Sequence, residues 1–83
     1  MTETEIYTFL KQVFAEVFIR NDIDVHPALT ARDLIGWDSF RQVEINLALE
    51  EKFNIRIRTR EMRDVANVGD LVALVARKCG ASS

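Results

Sequence analysis

The sequence predicts an all-α protein, a four-helix bundle with three longer helices and one short helix. Apolar residues recur at spacings of three and four in three separate stretches, which is the period of an amphipathic helix. Suitable capping residues precede these stretches, and the alternating pair Ile55 and Ile57 is too short to predict a sheet. The chain has 83 residues, enough for one small domain, so we expect a single domain over residues 1–83.

The first helix is expected to begin at Thr2, because Thr2 and Glu5 have the spacing of a capping box. One broad apolar stripe follows and ends near Ile19 or Arg20, which predicts a helix with one face on the core. The stripe consists of Ile6, Phe9, Leu10, Val13, Phe14, Val17 and Phe18.

The helical pattern disappears between residues 21 and 37, where Pro27, Gly36 and three aspartates interrupt it. A connection of this length is uncommon in a compact domain and usually has a function or contains a short turn. We expect four apolar residues to hold it across the bundle, namely Val25, Leu29, Leu34 and Ile35.

The second helix is predicted over residues 39–53 and has two apolar stripes on nearly opposite sides. The first stripe, which suits the core, consists of Ile45, Leu49 and Phe53. The second consists of Phe40, Val43 and Leu47, and the bordering carboxylates belong to Glu44, Glu50 and Glu51. The second stripe either packs against another helix or forms a docking face for a partner. The carboxylates favour docking, because charged groups rarely lie in a core.

A short helix near residues 59–64 and a last helix from about Asn67 to Lys78 complete the predicted bundle. Asn67 is a suitable N-cap, Lys78 suits the C-terminal end of a helix dipole, and Gly80 can end the helix. The packing face of the last helix consists of Leu71, Val72, Leu74 and Val75. Residues 79–83 are expected to form a disordered tail.

A serine stands at the start of the second helix, in the sequence Gly36-Trp37-Asp38-Ser39-Phe40. Asp38 is a good N-cap, which leaves the Ser39 hydroxyl pointing outward from the first turn. Unpaired amides and the helix dipole favour an attached anion there. Alternatively, Ser39 is itself the N-cap and Gln42 completes a capping box, an arrangement that implies no modification.

This stretch resembles the Asp-Ser-Leu attachment site of the acyl carrier protein family, with Phe40 in place of the leucine. The order of residue types looks like a carrier protein from Leu34 to Val75, and Asn54 stands where the family usually has glycine. The resemblance implies that a phosphopantetheinyl transferase attaches 4′-phosphopantetheine from coenzyme A to Ser39, next to Asp38. It also implies a bundle of acyl-carrier type with a long loop between its first two helices.

The resemblance further implies a carrier, not an enzyme, that holds acyl groups as thioesters. Acyl-loading and acyl-transferring enzymes of fatty acid, lipid or secondary-metabolite synthesis would be its partners. The residues expected to dock them are Phe40, Val43, Glu44, Leu47, Glu50, Glu51, Arg60 and Arg63. Leu49 and Ile57 are candidates for the wall of an acyl cavity, with Asn46 as an unusual polar neighbour. The alternatives are an aminoacyl or peptidyl carrier of a non-ribosomal pathway and an unmodified helical interaction module.

Two departures from the family's usual pattern concern charge. Arg41 occupies a position that is often acidic in carriers of fatty acid synthesis, and four arginines follow the modified helix where the family is usually acidic. These four are Arg56, Arg58, Arg60 and Arg63. We therefore expect a specialised stand-alone carrier.

Composition argues against several other classes of protein. A net charge of −2 disfavours nucleic acid as the main partner, although the arginine cluster keeps that option as a minor alternative. The apolar runs are too short for a membrane span, and the first residues lack the layout of a signal peptide. Cys79 is the one cysteine, which fits a reducing cytoplasm, and we expect a monomer there. His26 is the one histidine, so neither a metal site nor a serine hydrolase is expected.

Overall fold

A computed structural model describes residues 2–81 of the chain and shows a bundle of four helices. These are α1 (Glu3–Phe18), α2 (Ser39–Phe53), α3 (Thr59–Met62) and α4 (Val68–Ala81). No strand occurs within the described range, and a long loop joins α1 to α2. The predicted fold class is therefore confirmed. Across the same residues, no helix combines the length and apolar character that a membrane crossing requires.

Helix α1 begins at the predicted cap. The Thr2 hydroxyl accepts a hydrogen bond from the backbone N–H of Glu5 at 3.3 Å. The helix ends at Phe18 because Ile19 adopts the left-handed conformation, with φ of 54°, and its N–H donates to the Ala15 carbonyl. Both ends of α1 are therefore closed by local contacts.

The core lies where α1, α2 and α4 meet. Ile45 and Leu49 of α2 are fully buried, as predicted, and Phe53 is half-buried against Phe9 with ring centroids 5.6 Å apart. The other side chains with no more than 1% exposure are Ile6, Leu10, Phe14, Val68, Leu71, Val72 and Val75. The inner stripe of α2 is therefore enclosed by α1 and α4.

The long loop is held on the bundle by two buried leucines, Leu29 and Leu34, and by hydrogen bonds to α4. The carbonyl oxygens of Pro27 and Leu29 accept from the N–H groups of Gly69 and Val68, each at 2.9 Å. Donors in the first turn of a helix have no partner inside it, so the loop caps α4. A Cβ on Gly69 would lie only 3.1 Å from Pro27, so glycine permits this close approach.

The prediction that Ile35 also holds the loop is wrong, because its side chain is 93% exposed. The chain turns at this point, where the N–H of Trp37 donates to the Leu34 carbonyl at 3.3 Å. The turn places Leu34 in the core and leaves its neighbour in solvent. Val25 is half-buried against the core, as are Ile23 and Trp37.

Helix α3 ends at Met62, two residues before the predicted end at residue 64. Helix α4 follows the predicted cap, since the Asn67 side-chain oxygen accepts from the Asp70 N–H at 2.8 Å. It continues to Ala81, so the predicted tail overlaps the helix over residues 79–81. The remaining residues of that tail, 82 and 83, lie outside the described range.

An ion pair joins the short helix α3 to α4. Lys78 Nζ lies 2.7 Å from Glu61 Oε2, and the hydrogen bond from Lys78 lowers the pKa of the Glu61 carboxyl. The other oxygen of Glu61 accepts from the backbone N–H of Arg58 at 2.9 Å. One carboxylate thus caps α3 and also ties it to the bundle.

Leu49→Ala should lower the free energy of unfolding by about 2–5 kcal/mol, because it leaves a cavity in the centre of the core. Urea denaturation followed by circular dichroism would measure the change. The matched control is Leu47→Ala on the same helix, where the side chain is 58% exposed and the loss should stay within about 0.5 kcal/mol. Equal losses for the two variants would contradict the assignment of faces on α2.

Candidate functional site

Ser39 is the first residue of α2, and its side chain is exposed. Asp38 is the N-cap, since its Oδ1 accepts from the Arg41 N–H at 2.9 Å. The Asp38 carbonyl oxygen accepts from the Gln42 N–H at 3.0 Å and closes the first turn. These bonds confirm Asp38 as the cap, and the alternative capping box of Ser39 and Gln42 is wrong. The Ser39 hydroxyl is therefore not used to begin the helix.

A tight turn brings Asp38 to the start of α2. Gly36 has φ of 93°, a conformation that residues with a Cβ rarely adopt, and its carbonyl accepts from the Asp38 N–H at 3.1 Å. No atom lies within 4 Å of a Cβ built at Gly36, so there is room for a larger side chain. Glycine is favoured here only because of the backbone conformation.

Trp37 anchors the segment that precedes Ser39. Its ring packs edge-on against Phe14, with centroids 5.2 Å apart, and against Phe18 at 6.4 Å. Its Nε1 donates to Gln42 Oε1 at 2.8 Å. The indole therefore links the loop to both α1 and α2. Sequence reasoning gave Trp37 no role, although an indole usually needs both an apolar surface and a hydrogen-bond acceptor.

The second apolar stripe of α2 is exposed beside Ser39. Phe40 is 68% exposed, Val43 55% and Leu47 58%. The alternative in which another helix of this chain buries the stripe is wrong for the described residues. Three adjacent large apolar side chains in solvent are typical of a surface that binds a partner.

The three carboxylates that border this stripe differ in their contacts. Glu44 lies 3.2 Å from the Arg41 guanidinium in an ion pair. Glu50 is half-buried, and its Oε2 accepts from the backbone N–H of Ile57 at 2.8 Å, so it holds the connection between α2 and α3. Glu51 is exposed on the helix surface. Of the three carboxylates expected beside the stripe, one is therefore neutralised by an arginine and one holds the backbone of the following loop.

Positive charge occurs next to the stripe at Arg41 and also on α3, the helix across the groove. The Arg41 guanidinium lies 5.8 Å from the centre of the Phe40 ring, within the range of a cation–π contact. Arg60 and Arg63 are both exposed, one in α3 and one directly after it. The surface near Ser39 therefore carries charges of both signs.

A groove of about 310 Å³ opens at Ser39 and runs between α2 and α3. Its lining residues are Ser39, Gln42, Val43, Asn46, Leu47, Glu50, Ile57, Thr59 and Met62. Ile57 and Asn46 both line this groove, whereas Leu49 belongs to the buried core and does not line it. The sequence placed Leu49 and Ile57 in the wall of an acyl cavity inside the bundle, and that cavity stays a prediction.

The described part of the chain, residues 2–81, contains no group of three His, Cys, Asp or Glu side chains placed to hold a metal ion.

Comparison with known proteins gives consistent results. The family described as "Phosphopantetheine attachment site" matches residues 8–75. An acyl carrier protein of Acidothermus cellulolyticus is 36% identical over 76 residues, which cover 92% of this chain and 90% of the relative. Acyl carrier protein 2 of Ralstonia nicotianae is 32% identical over 75 residues, covering 90% and 93%.

A solved structure shares the fold. The solution structure of the holo acyl carrier protein of Geobacter metallireducens superimposes with a TM-score of 0.81 at 30% identity. The match covers 88% of this chain and 84% of that protein.

Asp38→Ala should destabilise the protein by about 0.5–2 kcal/mol, because the Arg41 N–H loses its cap. Thermal and urea unfolding would measure the loss. Asp38→Asn is the matched control, since asparagine caps helices about as well as aspartate and should cost little. If the alanine variant were as stable as the wild type, the cap would not stabilise the start of α2.

Proposed function

The chain belongs to the acyl carrier protein family, and from this premise we propose that Ser39 is the residue that carries its 4′-phosphopantetheine group. The observation that supports the proposal is the exposed Ser39 hydroxyl in the first turn of α2, while Asp38 performs the capping. The serine is thus available to an enzyme without any cost to the helix start.

The residues around Ser39 fit a phosphodiester. The first-turn N–H groups and the positive end of the α2 dipole favour an anion at this position. Arg41 follows two residues later, about half a turn around the helix, and its guanidinium is paired with Glu44. Trp37 holds the preceding turn, so the hydroxyl is presented from a fixed backbone.

The function is that of an acyl carrier, and catalysis belongs to its partners. When attached, the group supplies a terminal thiol that holds acyl chains as thioesters. The protein contributes the Ser39 hydroxyl, the groove that begins there, and the exposed stripe of Phe40, Val43 and Leu47. The proposed partners are a phosphopantetheinyl transferase and the enzymes that load and remove acyl groups. We infer a monomer that works in the cytoplasm, where Cys79 stays reduced.

Ser39→Ala should abolish modification. Incubation of the wild type with coenzyme A, magnesium and a broad-specificity phosphopantetheinyl transferase should add one group, measured by intact mass. The alanine variant should take none while keeping the wild-type circular dichroism spectrum and unfolding midpoint, because Asp38 and not Ser39 caps α2. If the folded wild type stayed unmodified with several such transferases, an unmodified interaction module would become the better interpretation.

Charge around the docking stripe should determine which enzymes this carrier serves. Complementary charge mainly sets the rate of encounter and the choice of partner. Glu44 is paired with Arg41, Glu50 is engaged by Ile57, and Arg60 and Arg63 are exposed. We infer a specialised carrier whose partners present both basic and acidic patches, in contrast to enzymes that dock a uniformly acidic carrier.

Arg60→Glu with Arg63→Glu should increase loading by a generic enzyme of fatty acid synthesis several-fold, because the surface of that enzyme is complementary to acidic carriers. Initial rates of acyl loading, compared for wild type and variant at low salt, would measure the effect. The matched control is Lys11→Glu with Arg20→Glu, which makes the same charge change at exposed residues of α1 and the loop after it. The specialised assignment would lose its basis if both double variants were loaded faster by the same factor. It would also lose its basis if the generic enzyme loaded the wild type as fast as it loads its own carrier.

A further inference from the structure

A chain of side-chain hydrogen bonds leads from the turn before Ser39 into the groove. Trp37 Nε1 donates to Gln42 Oε1 at 2.8 Å, and Gln42 Nε2 donates to Asn46 Oδ1 at 2.9 Å. All three side chains are partly buried, so these bonds are shielded from much of the competing water. Gln42 and Asn46 both line the groove that opens at Ser39.

Trp37 fixes the direction of this chain. An indole N–H can only donate, so the Gln42 oxygen must face it and the Gln42 nitrogen must face Asn46. Asn46 then has to present its oxygen to Gln42, which turns its own NH₂ group away. The orientation of both amides follows from the one donor-only group at the end of the chain.

The result is a set of hydrogen-bond donors without acceptors. Within residues 2–81, no oxygen accepts a hydrogen bond from the Asn46 amide nitrogen. Gln42 Nε2 carries a second hydrogen beyond the one given to Asn46. Of the remaining groove residues, Glu50 uses one carboxylate oxygen, Oε2, to accept from the Ile57 N–H. The groove therefore offers donors in a wall that is otherwise largely apolar, formed by Val43, Leu47, Ile57 and Met62.

Given the attachment at Ser39 on which this inference rests, we propose that the amide nitrogens of Gln42 and Asn46 bind a neutral carbonyl oxygen of the group lying in the groove. That oxygen belongs either to the amides of the pantetheine arm or to an oxygenated acyl chain such as a 3-oxoacyl group. Trp37 is the positioning residue that orients the two amides. Asn46 lies seven residues after Ser39, about 10 Å along the helix axis, so a flexible group that follows the groove passes both amides.

Two features of the groove favour a neutral carbonyl oxygen over a carboxylate or a saturated chain. An acyl carboxylate would be repelled by Glu50, which lines the same groove one turn beyond Asn46. A saturated chain would cover the amide donors and leave them without a partner, which is unfavourable for buried polar groups. A carbonyl oxygen satisfies the donors and brings no charge.

The experiment is NMR of the side-chain NH₂ groups in ¹⁵N-labelled protein in four forms. These are the unmodified protein, the protein with phosphopantetheine attached, and that protein loaded with either a saturated or a 3-oxoacyl chain of equal length. Intact mass establishes each form before the spectra are compared. The NH₂ group of Gln12, which lies outside this groove, is the internal reference.

The NH₂ protons of Gln42 and Asn46 should move downfield relative to Gln12. A shift that is complete when phosphopantetheine is attached identifies the arm as the source of the oxygen, and a shift that needs the 3-oxoacyl chain identifies the cargo. Asn46→Leu keeps a side chain of similar size but has no amide. In this variant, any shift of the Gln42 NH₂ protons that requires both amides should disappear. Trp37→Phe keeps an aromatic ring but frees the amides to rotate, so it should reduce the Asn46 shift.

Unchanged NH₂ resonances in all forms, with mass proving modification and loading, would overturn this inference and leave the proposed function intact. Failure to add any group at Ser39 would instead overturn the proposed function. A Trp37→Phe variant that is folded and shows the full wild-type shift would remove Trp37 from the proposal.

Discussion

The rotation of α2 about its own axis is the constraint on which the rest of the structure depends. Ile45 and Leu49 are fully buried against α1 and α4, which fixes the direction in which this helix faces the core. Because successive residues advance by about 100° around the axis, burying these two forces Phe40, Val43 and Leu47 outward. The same packing that stabilises the bundle therefore exposes the surface beside Ser39.

The start of α2 is held by contacts from three successive residues. Gly36 turns the chain, Asp38 caps the first turn, and Trp37 packs on Phe14 while bonding to Gln42. The other end of the long loop caps α4 through two carbonyl oxygens. A loop of this length without regular structure needs such attachments, and here they place the serine at a fixed position on the rim of the bundle.

The surface beside the exposed stripe of α2 is less negative than its three glutamates suggest. Of the three carboxylates beside the docking stripe, Glu44 shares its charge with Arg41 and Glu50 supports the backbone at Ile57. Only Glu51 keeps an exposed carboxylate without either task. The pairing explains how a surface that retains these acidic residues can still present a mixture of positive and negative charge.

The sequence alone determined the features that depend on neighbours along the chain. Thr2, Asp38 and Asn67 were recognised as caps and the bounds of α2 were predicted correctly, because capping and helical periodicity involve residues within one or two turns. Tertiary structure decided the rest. Ile35 lies in solvent, Glu50 binds a backbone N–H seven positions away, and Trp37 joins two helices. Each of these outcomes depends on which segment arrives opposite the residue, and that is fixed only when the helices pack.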